Sequence, residues 1–114
     1  GETGGLHAAA VFNTHGEIIL VREDVGRHNA VDKIIGALLR RKQLPANDLG
    51  IIVSGRTSFE LMQKIIVAGV PILAAVSAPS SLAINLAKEF EVTLVGFLRG
   101  NKFNTYSSDY RITC

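Results

Sequence analysis

Three short apolar runs, Gly50-Ile51-Ile52-Val53, Pro71 to Val76 and Val92 to Leu98, alternate with stretches whose apolar residues recur at helical spacing. No other feature constrains the chain as strongly. A short continuous apolar run suits a strand covered on both faces. A single helix between two such strands is the connection that parallel pairing requires. The first helical stretch carries Ala30, Val31, Ile34, Ile35, Leu38 and Leu39 on one stripe, with Asn29 placed to cap it and Arg40, Arg41 and Lys42 in its last turn. Gln43 to Leu49, with Pro45 and Asn47-Asp48, reads as a surface connection. In the second helical stretch, Thr57-Ser58-Phe59-Glu60 has capping-box spacing, Leu61, Met62, Ile65 and Ile66 form the stripe, and Gly69 closes it. The third follows the turn Ser77 to Ser81 and turns Leu82, Ala83, Leu86 and Ala87 inward.

Hairpins are expected at both ends. Leu6 to Phe12 and Ile18 to Val21 flank the turn-rich Asn13-Thr14-His15-Gly16, with Arg22 to His28 as a following loop. Arg99 to Lys102 can turn the chain back into Phe103 to Tyr106. The expected order is ββαβαβαββ, with right-handed crossovers and a mainly parallel sheet. This predicts an α/β protein, a three-layer α/β/α sandwich with a mixed sheet, forming one domain over residues 1–114.

Composition narrows the function classes. With 114 residues, 47% hydrophobic and 19% charged, the chain can bury a core and is not of the disordered class. Its longest apolar stretch, Val70 to Val76, is far short of the ~20 residues a bilayer span needs, so no membrane association is expected. The first residues have neither the basic start nor the apolar run of a signal peptide. A net charge of +2 is too balanced for a nucleic-acid or membrane-surface binder. Two tyrosines, five phenylalanines and no tryptophan give little for stacking single strands. The one cysteine, Cys114, excludes an intrachain disulfide, and a cytoplasmic location is expected. The only methionine is Met62, which leaves two readings of Gly1: removal of an initiator, or a piece of a longer protein.

Ligands of open α/β sheets bind beyond the carboxyl ends of the strands. Here those ends run into Arg22-Glu23-Asp24-Val25-Gly26-Arg27-His28, Ser54-Gly55-Arg56-Thr57-Ser58, Ser77 to Ser81, and Arg99-Gly100-Asn101-Lys102. If the four strands run parallel, Arg22, Arg27, Arg56, Arg99 and Lys102 gather on one rim. Three of the loops also enter helix N-termini, whose free N–H groups favour an anion. Arginine forks suit phosphate oxygens, and Gly26, Gly55 and Gly100 permit close approach. A phosphorylated ligand, such as a nucleotide, is the functional reading. The structural reading stays open beside it: Ser54 to Thr57 as a strand-to-helix turn, Asp24 with Arg27 as a loop brace, His7 and His28 as structural histidines, and Ser77 to Ser81 as a cap. P-loop, dinucleotide-binding and zinc-protease motifs are absent, as is the serine-hydrolase elbow.

At these loops the chain resembles a known family. Thr3-Gly4-Gly5-Leu6-His7, R-E-D-V-G-R-H-N-A-V-D-K (Arg22 to Lys33), S-G-R-T-S-F-E (Ser54 to Glu60), A-A-V-S-A-P-S-S-L-A (Ala74 to Ala83) and G-F-L-R-G-N-K-F-N-T-Y (Gly96 to Tyr106) are similar, in order and over nearly the whole chain, to the formate dehydrogenase accessory sulfurtransferase family, FdhD. The resemblance implies a cytidine-deaminase-like fold and a homodimer. It implies a sulfur carrier that takes sulfur from a cysteine desulfurase as a persulfide. The acceptor would be the bis-molybdopterin guanine dinucleotide cofactor, holding molybdenum or tungsten, on its way to formate dehydrogenase. The family's cofactor-binding stretch maps onto Phe97, Leu98, Arg99, Gly100, Asn101 and Lys102. With Ser54, Gly55, Arg56, Arg27 and His28 from the rim, these are the expected cofactor-binding residues, with GDP as a partial analogue.

One departure matters. The family's persulfide cysteines lie in a C-x-x-C loop upstream of the T-G-G-x-H segment, and Cys114 does not match it. The resemblance therefore implies that these residues are the C-terminal part of a longer protein, in which they bind cofactor without carrying the transferable sulfur. No catalytic residue and no metal ligand is expected here, since the zinc ligands of deaminases are also absent. The alternative is a non-catalytic nucleotide-binding module, a sensor or cofactor chaperone.

Overall fold

A computed structural model describes residues 7–42, 47–76, 78–97 and 103–107. Their elements follow the expected order: β1 (His7–Phe12), β2 (Ile18–Asp24), α1 (Arg27–Arg40), β3 (Gly50–Val53), α2 (Phe59–Val67), β4 (Ile72–Ala75), α3 (Ser81–Glu89), β5 (Thr93–Phe97) and β6 (Phe103–Ser107). They form one six-stranded sheet in the order β2-β1-β3-β4-β5-β6. β1 is antiparallel to both β2 and β3, β3 to β5 are parallel, and β6 returns antiparallel to β5. Consequently β2, β3, β4 and β5 all point the same way and end at one rim.

Register separates the two faces of the sheet. Leu20, Val11, Ile51, Leu73 and Leu94 are successive partners across five strands. All five lie in the core, with Val31, Ile34 and Leu38 of α1, Leu61, Met62 and Ile65 of α2, and Ala83 and Ala87 of α3. The neighbouring row, Val21, Ala10, Ile52, Ala74 and Val95, has its side chains on the other face. The Asp32–Lys64 ion pair, at 2.7 Å, ties α1 to α2 on the core side. Three right-handed crossovers that all step in one direction put their helices on one face. The α/β class and mixed sheet are as expected, but three of the five strand pairings are antiparallel where a mainly parallel sheet was expected, and the sheet with its described helices makes two layers. The third layer of the expected sandwich is not among the described residues.

Several local expectations shift. β2 continues through Arg22 and Glu23 to Asp24 and α1 starts at Arg27, so only Val25 and Gly26 of the expected loop lie outside strand and helix. The cap of α1 is Gly26, not Asn29, which lies in the first turn. Ser58, one residue beyond Thr57, caps α2 by accepting from the Leu61 N–H at 3.2 Å. Leu39 and Leu82 are exposed rather than inward. Gly69, at φ +74°, ends α2 as expected, with Gly69 N–H donating to Ile66 O and Val70 N–H to Ile65 O.

Candidate functional site

The rim is built by strand ends that become helix starts. β2 leads through Val25 and Gly26 into α1, β3 through Ser54 to Ser58 into α2, and β4 into the Ser80-capped α3. β5 ends and β6 begins beside them, with Phe97 paired to Phe103. Two of the loops are joined directly: the Ser80 N–H donates to the Thr57 carbonyl at 3.1 Å.

The β2–α1 turn is braced by one carboxylate. Asp24 Oδ1 accepts from the Gly26 N–H at 3.0 Å and from Asn29 Nδ2 at 3.4 Å, while Oδ2 pairs with Lys33 Nζ at 2.9 Å. Lys33 also donates to the Glu23 carbonyl. The Gly26 N–H and then Lys33 hold the Asp24 carboxyl down to about 2, with Asn29 adding to them and desolvation opposing. Asp24 thus braces the turn with Lys33 as cation; the expected Asp24–Arg27 pair falls on the Arg27 side chain, which lies outside the described residues. Sequence reasoning passed over Lys33, which lies two turns into α1. The Asp-x-Gly spacing of Asp24 and Gly26 was the available signal for the turn itself.

The expected site residues fare differently. Ser54 is a ladder residue as well as a rim residue: its Oγ accepts from the Ala8 N–H at 2.9 Å, and its own N–H donates to the Ala8 carbonyl. Gly55 is partly buried and Arg56 is exposed, and among the described residues Arg56 has no ion-pair partner. His28, half-buried, sits in the first turn of α1, which has neither a capping side chain nor an acidic residue. Arg27 opens that helix, and its side chain lies outside the described residues, as do Ser77 and the stretch Leu98, Arg99, Gly100, Asn101 and Lys102. Arg22 lies within β2 and donates to the Val21 carbonyl.

Two further features belong to the rim. Val25, Val76 and Leu82 are exposed at the ends of β2 and β4 and the start of α3, giving apolar surface on the same rim as Arg56. Thr57 is fully buried, and among the described residues its Oγ1 has no hydrogen-bond partner. A cleft of about 400 Å³ lies at the opposite end of the sheet, lined by Ile66, Val70, Pro71 and Phe90. It is remote from the strand carboxyl ends. No helix among the described residues is long and apolar enough to cross a membrane. Nor do those residues hold a cluster of three or more side chains able to bind a metal ion.

Comparison with known proteins agrees with the loop motifs. A sequence model of the FdhD/NarQ family matches residues 1–113. A sulfur carrier protein FdhD from Nocardia farcinica is 62% identical over 110 residues, which are 96% of this chain and 39% of that protein. One from the archaeon Sulfurisphaera tokodaii is 56% identical over 110 residues, 43% of its length. A crystal structure from Desulfotalea psychrophila, assigned as a formate dehydrogenase accessory protein, superimposes with a TM-score of 0.86 at 34% identity. That match covers 95% of this chain and 46% of the other. The chain thus spans about 40% of the length of the curated relatives it matches. On these matches, and on the order of its loop motifs, the chain belongs to the FdhD/NarQ family.

Proposed function

We propose that this chain is the cofactor-holding part of a sulfur carrier serving formate dehydrogenase, and that its rim receives a guanine nucleotide end of the bis-molybdopterin guanine dinucleotide cofactor. The cofactor is here the substrate to be sulfurated. The convergence of four strand carboxyl ends and three helix N-termini on one rim carries this reading. The relatives' shared description as sulfur carriers supports it.

The rim offers the two chemistries a nucleotide needs. Arg56, exposed and without an ion-pair partner among the described residues, supplies a guanidinium for phosphate oxygens. The uncapped first turn of α1, with Arg27 and His28, supplies N–H donors at the positive end of a 14-residue helix. Exposed Val25, Val76 and Leu82 supply apolar surface for a planar base. Phe97, Leu98, Arg99, Gly100, Asn101 and Lys102 join β5 to β6 and complete the proposed grip, with Ser54 and Gly55 shaping its floor. The sulfur-bearing thiolate comes from the longer family protein, loaded by a cysteine desulfurase, in the cytoplasm. A homodimer presents two rims to the cofactor's two nucleotide ends.

Calorimetric titration with GDP and with ADP, at low and high salt, tests this reading. GDP should bind more tightly, salt should weaken it, and Arg56→Ala should weaken it by about tenfold, the worth of a charge-assisted hydrogen bond. Equal binding of both nucleotides favours a general nucleotide-binding module. Binding of neither contradicts the assignment of the rim.

A further inference from the structure

All three helices start at the rim and run back to the other end of the sheet, where α1, α2 and α3 finish at Arg40, Val67 and Glu89. Three large apolar residues are exposed at those finishes: Leu39 at 64%, Val67 at 87% and Phe90 at 54%. They are not scattered. Leu39 lies seven residues beyond Asp32 on α1, and Val67 three beyond Lys64 on α2, so both continue the seam that the Asp32–Lys64 pair bridges. Val67 adjoins Ile66, which with Val70, Pro71 and Phe90 lines the cleft of about 400 Å³. An apolar surface thus runs from the seam into a concavity, unlike isolated surface hydrophobics, which need no explanation.

Charge gives this surface a direction. Arg40, Arg41 and Lys42 are exposed beside Leu39, and among the described residues none of the three has an ion-pair partner. The chain has 12 basic against 10 acidic residues, so these three hold its positive excess. Only Arg40 lies in the last turn of α1, where the helix dipole accounts for a cation. Lys42 has φ +57°, a region where glycine is the default, so a cation stands there against backbone preference. At the other margin, Glu89 and Glu91 are exposed on either side of Phe90.

We propose that this end of the fold docks a partner protein through a segment that is apolar along its length and acidic at one end. Its apolar side chains enter the cleft between Ile66 and Phe90 and cover Val67 and Leu39, while its carboxylates meet Arg40, Arg41 and Lys42. Glu89 and Glu91 repel the same segment laid the other way round, so attraction at one margin and repulsion at the other fix its direction. Those two carboxylates also oppose the phosphates of a nucleic acid or of an anionic membrane. The surface lies at the far end of the sheet from the rim. The inference therefore does not rest on the nucleotide assignment, and partner and nucleotide can be held at once.

The test uses a full-length chimera in which this chain replaces the matched 110 residues of the Nocardia farcinica relative. A phage-displayed library of random short peptides is panned against it, and the most enriched peptide is labelled with fluorescein and titrated by anisotropy. Enriched peptides should combine apolar with acidic residues. Arg40→Glu together with Arg41→Glu should weaken binding by about tenfold or more, the worth of reversing two exposed charge pairs. Salt should weaken the parent more than this variant. Phe90→Asp should weaken binding as well. The unfolding midpoint of the double variant should match the parent's, which separates lost docking from a lost fold. A library that yields basic peptides, or none, overturns the proposal, and so does binding indifferent to both variants. Retention of the chimera on phosphatidylserine vesicles in place of peptide assigns the surface to a membrane. Self-association that grows with concentration and is lost in Val67→Asp assigns it to a second copy, and either result overturns the proposal.

Discussion

Thr57 offers a perturbation whose sign runs against intuition. Its side chain is fully buried between the β3 strand end and the α2 cap, and among the described residues its hydroxyl has no partner. Proteins lose about 1–3 kcal/mol for each buried hydroxyl left unpaired. Valine has the same shape and exchanges that hydroxyl for a methyl, so Thr57→Val should stabilise the chain by about 1–3 kcal/mol. Thr57→Ala also removes the hydroxyl but leaves a void, and should fall below the valine variant by about 1 kcal/mol, near the worth of a buried methyl. Urea denaturation followed by circular dichroism is the assay. With a slope of about 1–3 kcal/mol per molar, the valine variant's midpoint should rise by roughly 0.5–1.5 M at unchanged slope. A valine variant less stable than the parent by about 1 kcal/mol or more, the worth of one hydrogen bond, refutes the reasoning, because it means that the hydroxyl is paired. If the hydroxyl is kept to meet a ligand, the same substitution should weaken GDP binding while it stabilises the fold, the usual conflict between stability and function.

Three other outcomes follow from the packing and the charges. At Gly50, a Cβ would lie 2.2 Å from the ring of Phe12. Gly50→Ala should therefore cost about 1–3 kcal/mol in chemical denaturation, and much less in a Phe12→Leu background; a similar cost in both would show that the ring is not the obstacle. Lys42 ends α1 in the left-handed region, at φ +57°. Lys42→Gly should relieve about 1 kcal/mol of backbone strain and raise the thermal midpoint, and a lower midpoint would contradict this. Asp24 has a folded pKa lowered from 3.8 to about 2. Its contribution to stability is thus fully present above about pH 4 and is lost as pH falls through about 2. Asp24→Asn should flatten the stability–pH curve in that window, and an unchanged slope would show that the brace does not form.

Strand existence was legible in the sequence because buried strands of this kind are continuous apolar runs, as at Gly50–Val53 and Ile72–Ala75. Their shared direction followed from the single helices between them. Cap positions were less legible. The choice between Gly26 and Asn29 at the start of α1 depends on where the Asp24 carboxylate reaches, and one of its partners, Lys33, is nine residues away. Leu82 fits an inward stripe by spacing, yet it sits in the first turn of α3 and is exposed. The expected third layer rested on those same apolar runs. Such runs fit strands covered on both faces, but a strand's sequence does not say what lies on its second face. The rim was legible as a set of loops, because four strand ends carry glycine, serine and arginine. Thr57 was not, since its capping-box spacing disguised a residue that is buried while its neighbour Ser58 does the capping.

The most direct measurement of the central claim is an amide chemical-shift titration of the ¹⁵N-labelled chain with GDP. If the rim holds the nucleotide, the shifted resonances should cluster at Gly26 to Asn29, Gly55 to Phe59 and Ser80 to Ala83, the starts of the three helices. Resonances around Val70, Pro71's neighbours and Phe90, which line the cleft at the other end, should stay in place. Shifts centred on that cleft, with the rim unmoved, would contradict the assignment.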